Sequence, residues 1–192
     1  MRICVYLGSS PGRSPLYRDA AEQFGTLLAQ RGIGLVYGGG EVGLMGVIAD
    51  AVCAAGGEVI GVIPEALRAR EKDHHGITEL HVVKTMHERK AMMANLADGF
   101  VTLPGGIGTF EEMFEAWCWA QLGYHKKPVG LLNVGDFYDG LTQFIDKIVE
   151  EGFLQERHRA MLMIEREPEA LLDRMMHYMA PETEHWLGEQ DL

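Results

Sequence analysis

Two glycine-rich stretches hold the residues of this chain best placed to do chemistry: YGGGEVGLMG at 37–46 and PGGIGTFEE at 104–112. In the first, Gly38, Gly40 and Gly43 satisfy G-x-G-x-x-G at a strand-to-helix turn, where small residues let backbone N–H groups approach an anion. A dinucleotide would also require an acidic residue at the far end of the next strand. Glu58 opens that strand instead, Glu65 lies beyond Pro64, and the loop follows the second strand where the fingerprint follows the first. Two readings stay open: contact with some other ligand, or a tight turn with close helix–sheet packing.

In the second stretch, Gly105, Gly106 and Gly108 offer successive N–H groups, Thr109 adds a hydroxyl, and the dipole of the following helix favours an anion. The lysine of a triphosphate-binding loop is missing, so a monophosphate suits this cradle better. Thr109 and Glu112 have capping-box spacing. A phosphate held on the same donors would displace that cap and free the Glu112 carboxylate for other work.

Thr85 and Glu88 repeat the spacing at the start of the preceding helix, where capping is the preferred reading. Arg89 and Lys90 follow in the first turns, although a helix dipole disfavours cations there. Two cations so placed, just beyond a strand end, point to an anion site; the alternative is a pair of solvated side chains. His74 and His75 read as a solvated loop, because metal ligands would be spaced for one face of a helix or joined by others. Trp117 and Trp119 read as packing or interface residues, and the scattered methionines as core filler. No metal site is expected.

These loops need a scaffold. Near-continuous apolar runs recur at strand length: RICVYLG, GIGLVYG, EVIGVIP, LHVVKTM, DGFVTLPG and KPVGLLNV. Strands buried on both faces look like this. Helical stretches alternate with them. SPLYRDAAEQFGTLLAQRG has Ser14 as N-cap and Pro15 at the first helical position. GLMGVIADAVCAAGG, HERKAMMANLAD, TFEEMFEAWCWAQLG and FYDGLTQFIDKIVEEG follow the same plan. HRAMLMIER adds a further strand and EPEALLDRMMHYM a final helix. The alternation predicts an α/β fold, a single-domain Rossmann-like doubly wound parallel sheet with helices on both faces, over residues 1–180. Residues 181–192 read as an acidic tail, flexible or packed on a partner. Ligands of such sheets bind outside the carboxyl ends of the strands, where both glycine loops fall.

A length of 192 residues fits one domain. The net charge of −11 argues against nucleic acid or an anionic membrane as the main partner, while leaving room for a small phosphorylated ligand. Cys4, Cys53 and Cys118 show no C-x-x-C spacing and read as free thiols of a reducing compartment. The first apolar run breaks at Gly8, as a strand rather than a signal peptide, and no stretch is long enough to span a bilayer. A soluble, cytoplasmic protein is expected.

GGGEVGLMG, MHERKAMM, PGGIGTFEE and WAQLGYHKKPVGLLN together resemble the Lonely Guy family of cytokinin riboside 5′-monophosphate phosphoribohydrolases, a likeness running from YLGSSPG to about Phe153. The resemblance implies hydrolysis of the N-glycosidic bond of an adenosine 5′-monophosphate, N6-substituted or not, to free base and ribose 5-phosphate. It implies no cofactor, and a homodimer with sites near the subunit contact. It places catalytic roles on Arg89 and Glu112, and substrate contacts on Glu71, Lys90, Gly105, Gly106, Ile107, Gly108, Thr109 and Glu111. Gly8, Ser9, Gly39 and Gly40 complete the contact set on the same edge. Cys118 departs from the threonine many members carry there, which bears on the choice of base. Members have also been labelled lysine decarboxylases, but no pyridoxal-lysine signature occurs here.

On this reading Glu112 stabilises an oxocarbenium-like state and positions or deprotonates the water, and Arg89 holds Glu112 or binds phosphate. A carrier of a phosphate-bearing ligand, like the molybdenum-cofactor carriers, is the rival on the same fold. The arginine and glutamate that accompany PGG-x-GT favour the enzyme. A dinucleotide-dependent oxidoreductase is a more distant third.

Overall fold

A computed structural model describes residues 1–71 and 74–181, apart from the side chains of 69–71. The side chain of Glu71 and residues 182–192 of the tail therefore lie outside the described residues. The apolar runs fold as β1 (Arg2–Tyr6), β2 (Gly34–Tyr37), β3 (Val59–Pro64), β4 (Glu79–Val83), β5 (Gly99–Thr102), β6 (Val129–Leu132) and β7 (Leu162–Glu165). All pair in parallel, in the order β4-β3-β2-β1-β5-β6-β7. Strands β1, β2, β3, β5 and β6 are buried almost throughout, which is why they carry no polar alternation.

The chain winds outward from β1 to β4, then returns to the other side of β1 to lay down β5. Neighbouring connections diverge at that reversal, leaving a crevice above the carboxyl ends of β1 and β5. The register pairs Tyr6 with Thr102, so both strands end level. Gly8 N–H then donates to the Pro104 carbonyl at 3.2 Å, and Leu103 N–H to that of Tyr6 at 2.9 Å.

The helices are α1 (Pro15–Gln30), α2 (Gly43–Ala54), α3 (Glu65–Glu71), α4 (Met86–Leu96), α5 (Ile107–Gln121), α6 (Asp139–Glu150), α7 (Glu156–Arg159) and α8 (Pro168–Met176). On one face α1, α2 and α8 bury Phe24, Leu28, Ile48, Val52, Leu171 and Leu172. On the other, α4, α5 and α6 bury Met93, Met113, Trp117 and Ile145 against Cys4, Tyr6 and Phe100. Each such side chain taken from water contributes about 1.5–3 kcal/mol, so both faces anchor the strand ends firmly. Ser14 caps α1 as its chemistry requires, its hydroxyl accepting from Leu16 N–H with Pro15 first in the helix. The short α3 and α7 were not anticipated, having too few residues for a readable period. Among the described residues no helix is long and apolar enough to cross a membrane.

Candidate active site

Helix α5 starts at Ile107, with Gly106 as N-cap and no side-chain capping bond. This corrects the capping-box reading of Thr109 and Glu112. Thr109 lies inside the first turn, where its buried side chain packs so closely over Gly105 that a Cβ there would meet its Oγ1 at 2.2 Å. The helix begins earlier because Gly106 adopts an extended cap conformation (φ −100°, ψ −160°). The faces of Gly106 and Gly108 meet no atom within 4 Å, and Ile107 is 88% exposed. A helix of 15 residues thus presents its uncapped positive end to open space, as an anion requires.

The second T-x-x-E behaves as anticipated. Glu88 N–H donates to Thr85 Oγ1 at 3.1 Å, and Glu88 Oε2 accepts from Lys84 N–H at 2.8 Å. The two cations that follow are not solvated. Arg89 is buried, with Nε donating to the Val62 carbonyl at 3.1 Å and Nη2 to that of Gly38 at 3.0 Å. Lys90 Nζ, its side chain 10% exposed, donates to Glu111 Oε1 at 2.6 Å and Glu115 Oε1 at 2.9 Å. Burial alone would lower the Lys90 pKa, but these two carboxylates outweigh it and hold the ammonium above its ordinary value. Both side chains therefore tolerate the helix dipole because each is fully engaged elsewhere.

Glu112 is half-buried on α5, one residue before the fully buried Met113. The Cys4 thiol, wholly buried in β1, registers its neighbours. Burial raises its pKa first, the Glu112 charge adds to the rise, and Arg89 opposes it. Tyr6 is raised in turn by burial, by Cys4 and by Glu112. Arg89 from α4 and Glu112 from α5 thus both lie within electrostatic reach of Cys4 in β1. In the sequence Cys4 reads only as a free thiol and Tyr6 carries no mark, since nothing local shows that a strand residue has charges from two helices near it.

Above the β1–β5 reversal lies a cavity of about 270 Å³, lined by Gly8, Ser9, Tyr17, Leu44, Gly105, Gly106 and Phe137. Phe137 packs on Phe110 and Tyr138, whose buried hydroxyl donates to the Leu103 carbonyl at 2.7 Å, just before the second loop. A more voluminous, polar depression at the opposite edge surrounds the Arg2–Glu58 ion pair and contains no residue of either glycine loop.

The first glycine loop is filled by protein. Arg89 covers Gly38; Ile63 and Leu80 cover Gly39 (φ +75°). A Cβ on Gly43 (φ +60°) would fall 2.3 Å from the Ser9 carbonyl carbon. Leu44 N–H donates to the Gly8 carbonyl, tying this loop to the one after β1. Gly40 is buried as well. His74 corrects another expectation: it is buried, not solvated. Its backbone N–H donates to Gly39 O, its Nδ1 accepts from Gly76 N–H, and its Nε2 therefore donates to Asp50 at 3.0 Å.

Comparison with known proteins identifies relatives of this chain in sequence and in fold. A family model described as "Possible lysine decarboxylase" matches residues 45–175. A cytokinin riboside 5′-monophosphate phosphoribohydrolase of Oryza sativa subsp. japonica is 51% identical over 183 residues, covering 95% of this chain and 75% of the rice protein. An Arabidopsis thaliana protein of the same description is 51% identical over 178 residues, covering 93% and 84%. Among solved structures, the molybdenum cofactor carrier protein of Chlamydomonas reinhardtii aligns with a TM-score of 0.70 at 20% identity, covering 92% of this chain and 98% of that one. The molybdenum cofactor binding protein of Rippkaea orientalis aligns at 0.68 and 22%, covering 92% and 95%. These structures share the fold.

Proposed function

The chain belongs to the Lonely Guy family, and from that premise we propose that it is a nucleoside 5′-monophosphate phosphoribohydrolase acting on adenosine 5′-monophosphates, N6-substituted or not. The observation that carries the reading is the open, uncapped N-terminus of α5, the helix that carries Glu112.

The 5′-phosphate would sit on the donors of Gly106, Ile107, Gly108 and Thr109, with Gly8, Ser9 and Gly105 closing the cradle. Anchoring the phosphate turns remote binding energy into orientation of C1′. As the C1′–N9 bond lengthens, its electron pair leaves with the base and positive charge grows on the ribose. The Glu112 carboxylate stabilises that charge and takes a proton from the water whose oxygen bonds to C1′, while the departing base takes up a proton from solvent and Glu112 returns its own to solvent. Arg89 supplies a fixed positive charge. Lys90 is engaged with Glu111 and Glu115, so its role is to hold α4 against α5. Gly39 and Gly40 shape the wall behind the sugar. No cofactor enters the scheme.

A homodimer fits the apolar groove between α5 and α6, where Phe114, Cys118 and the 87% exposed Phe153 face solvent. Free Cys4, Cys53 and Cys118 suit a reducing, cytoplasmic setting.

The test is release of ribose 5-phosphate from AMP and from N6-isopentenyl-AMP by the wild type, Glu112→Gln and Arg89→Ala. Release by the wild type and a loss of at least about 100-fold in both variants is the expected result. Binding of AMP without release from either nucleotide would overturn the reading in favour of a carrier.

A further inference from the structure

Why the chain has two glycine loops follows from what fills them. We infer that Gly38 is a positioning residue: the first loop serves the reaction by seating the Arg89 guanidinium, and the second receives the substrate. The inference rests on the catalytic role proposed for Arg89.

Arg89 reaches from α4 across the carboxyl ends of β3 and β2. There Nε bonds the Val62 carbonyl and Nη2 the Gly38 carbonyl. Two acceptors on one edge fix the plane of the guanidinium, and they offset the desolvation of a charge that is 5% exposed. The space it occupies is the space a side chain at position 38 would take. A Cβ on Gly38 would lie 2.0 Å from Nη2 and 3.2 Å from Cζ, while its next neighbour, Met45 Sδ, is 3.2 Å away on a flexible side chain.

Gly38 differs here from its neighbours. Gly39 and Gly43 have positive φ, and the backbone itself forbids a Cβ there. Gly38 does not have positive φ, so alanine fits its conformation, and what stands in the way is Arg89. Glycine at 38 is thus required by a side chain 51 residues away. With alanine there, the guanidinium must leave both carbonyls and swing toward solvent, while the sheet beneath stays intact.

The test is a cycle of four proteins: wild type, Gly38→Ala, Arg89→Ala and the double variant, each measured for kcat, KM and Tm. Gly38→Ala should lose nearly as much kcat as Arg89→Ala, about 100-fold or more, with KM within a few-fold. The double variant should be no slower than Arg89→Ala alone, because one seat cannot be lost twice. Tm should fall on Gly38→Ala when Arg89 is present and stay level when it is absent, since the methyl then has room. Losses that multiply in the double variant, a Gly38→Ala enzyme above half the wild-type rate, or an equal Tm drop in both backgrounds would overturn the inference. A wild type that releases nothing sinks the functional reading instead, and the Tm cycle, which needs no turnover, still decides the seat.

Discussion

Replacing Lys90 with methionine keeps the aliphatic stem and removes the charge that bridges α4 to α5. At an effective dielectric of about 20, ion pairs at 2.6 and 2.9 Å are each worth about 6 kcal/mol before desolvation. Little of that survives as net stability. Glu111 is 51% exposed, so screening reduces its pair to at most about 1 kcal/mol. Glu115 is 25% exposed against a Lys90 side chain at 10%, and this better-covered pair retains about 1–2 kcal/mol once desolvation is subtracted. Lys90→Met should therefore cost about 2 kcal/mol, or about 4–8 °C in Tm for a chain of this size. The variant also leaves Glu111 and Glu115 facing each other four residues apart, a repulsion that Glu115→Gln relieves. In the Lys90→Met background, Glu115→Gln should recover about half the lost Tm, whereas in the wild type it should lower Tm. Thermal melts of the four proteins, with KM measured alongside, provide the assay. A Tm change below about 1 °C with a large rise in KM would refute the clamp and return Lys90 to the phosphate.

Tyr138→Phe keeps the packing on Phe110 and Phe137 but strands the Leu103 carbonyl ahead of the second loop; a loss of about 1–2 kcal/mol in urea titration is expected, and no loss would show that water replaces the hydroxyl. His125 is held neutral, its pKa lowered to about 4 by burial and then by Lys127. Because the folded value is depressed, its stabilisation is fully present above the ordinary value of 6.5 and is lost as pH falls toward 4, by at most about 3 kcal/mol. His125→Gln should flatten stability between pH 7 and pH 4, and parallel curves for the two proteins would contradict this. Gly106→Ala, which meets nothing within 4 Å, should leave Tm within about 2 °C yet raise KM by crowding the phosphate. An unchanged KM would place the anion elsewhere.

The sheet could be read before folding because strands buried on both faces cannot alternate, and runs such as RICVYLG and KPVGLLNV say so directly. The start of α1 was equally readable, since Ser14 and Pro15 act within one turn. The start of α5 was not: Thr109 and Glu112 have the spacing of a cap, but Gly106 begins the helix first. Arg89 and Lys90 stood out because they oppose a dipole, a conflict visible locally. What resolves the conflict is not local. Val62 lies on β3 and Gly38 just past the end of β2, and Glu111 and Glu115 lie on another helix. His74 was misread for the same reason, its partner Asp50 being 24 residues back in the chain.

Glycine-rich turns at strand ends look alike in sequence, and the fold separates them by what stands over each Cα. Over Gly38 stands a guanidinium and over Gly43 the backbone of Ser9, while over Gly106 and Gly108 stands nothing. An open helix N-terminus would hold a phosphate equally well in a carrier and in a hydrolase, so likeness to carriers at 20–22% identity does not choose between them. The buried arginine does bear on that choice. The Arg89 guanidinium is buried with one edge on the Val62 and Gly38 carbonyls, and gripping an anion at α5 does not require it. Cleavage of a glycosidic bond requires negative charge fixed in advance beside the carbon that becomes cationic, a charge that Glu112 carries and that a fixed guanidinium can hold in place. On the proposed reading, keeping Gly38 bare to admit Arg89 serves that carboxylate, and so a reaction rather than binding alone.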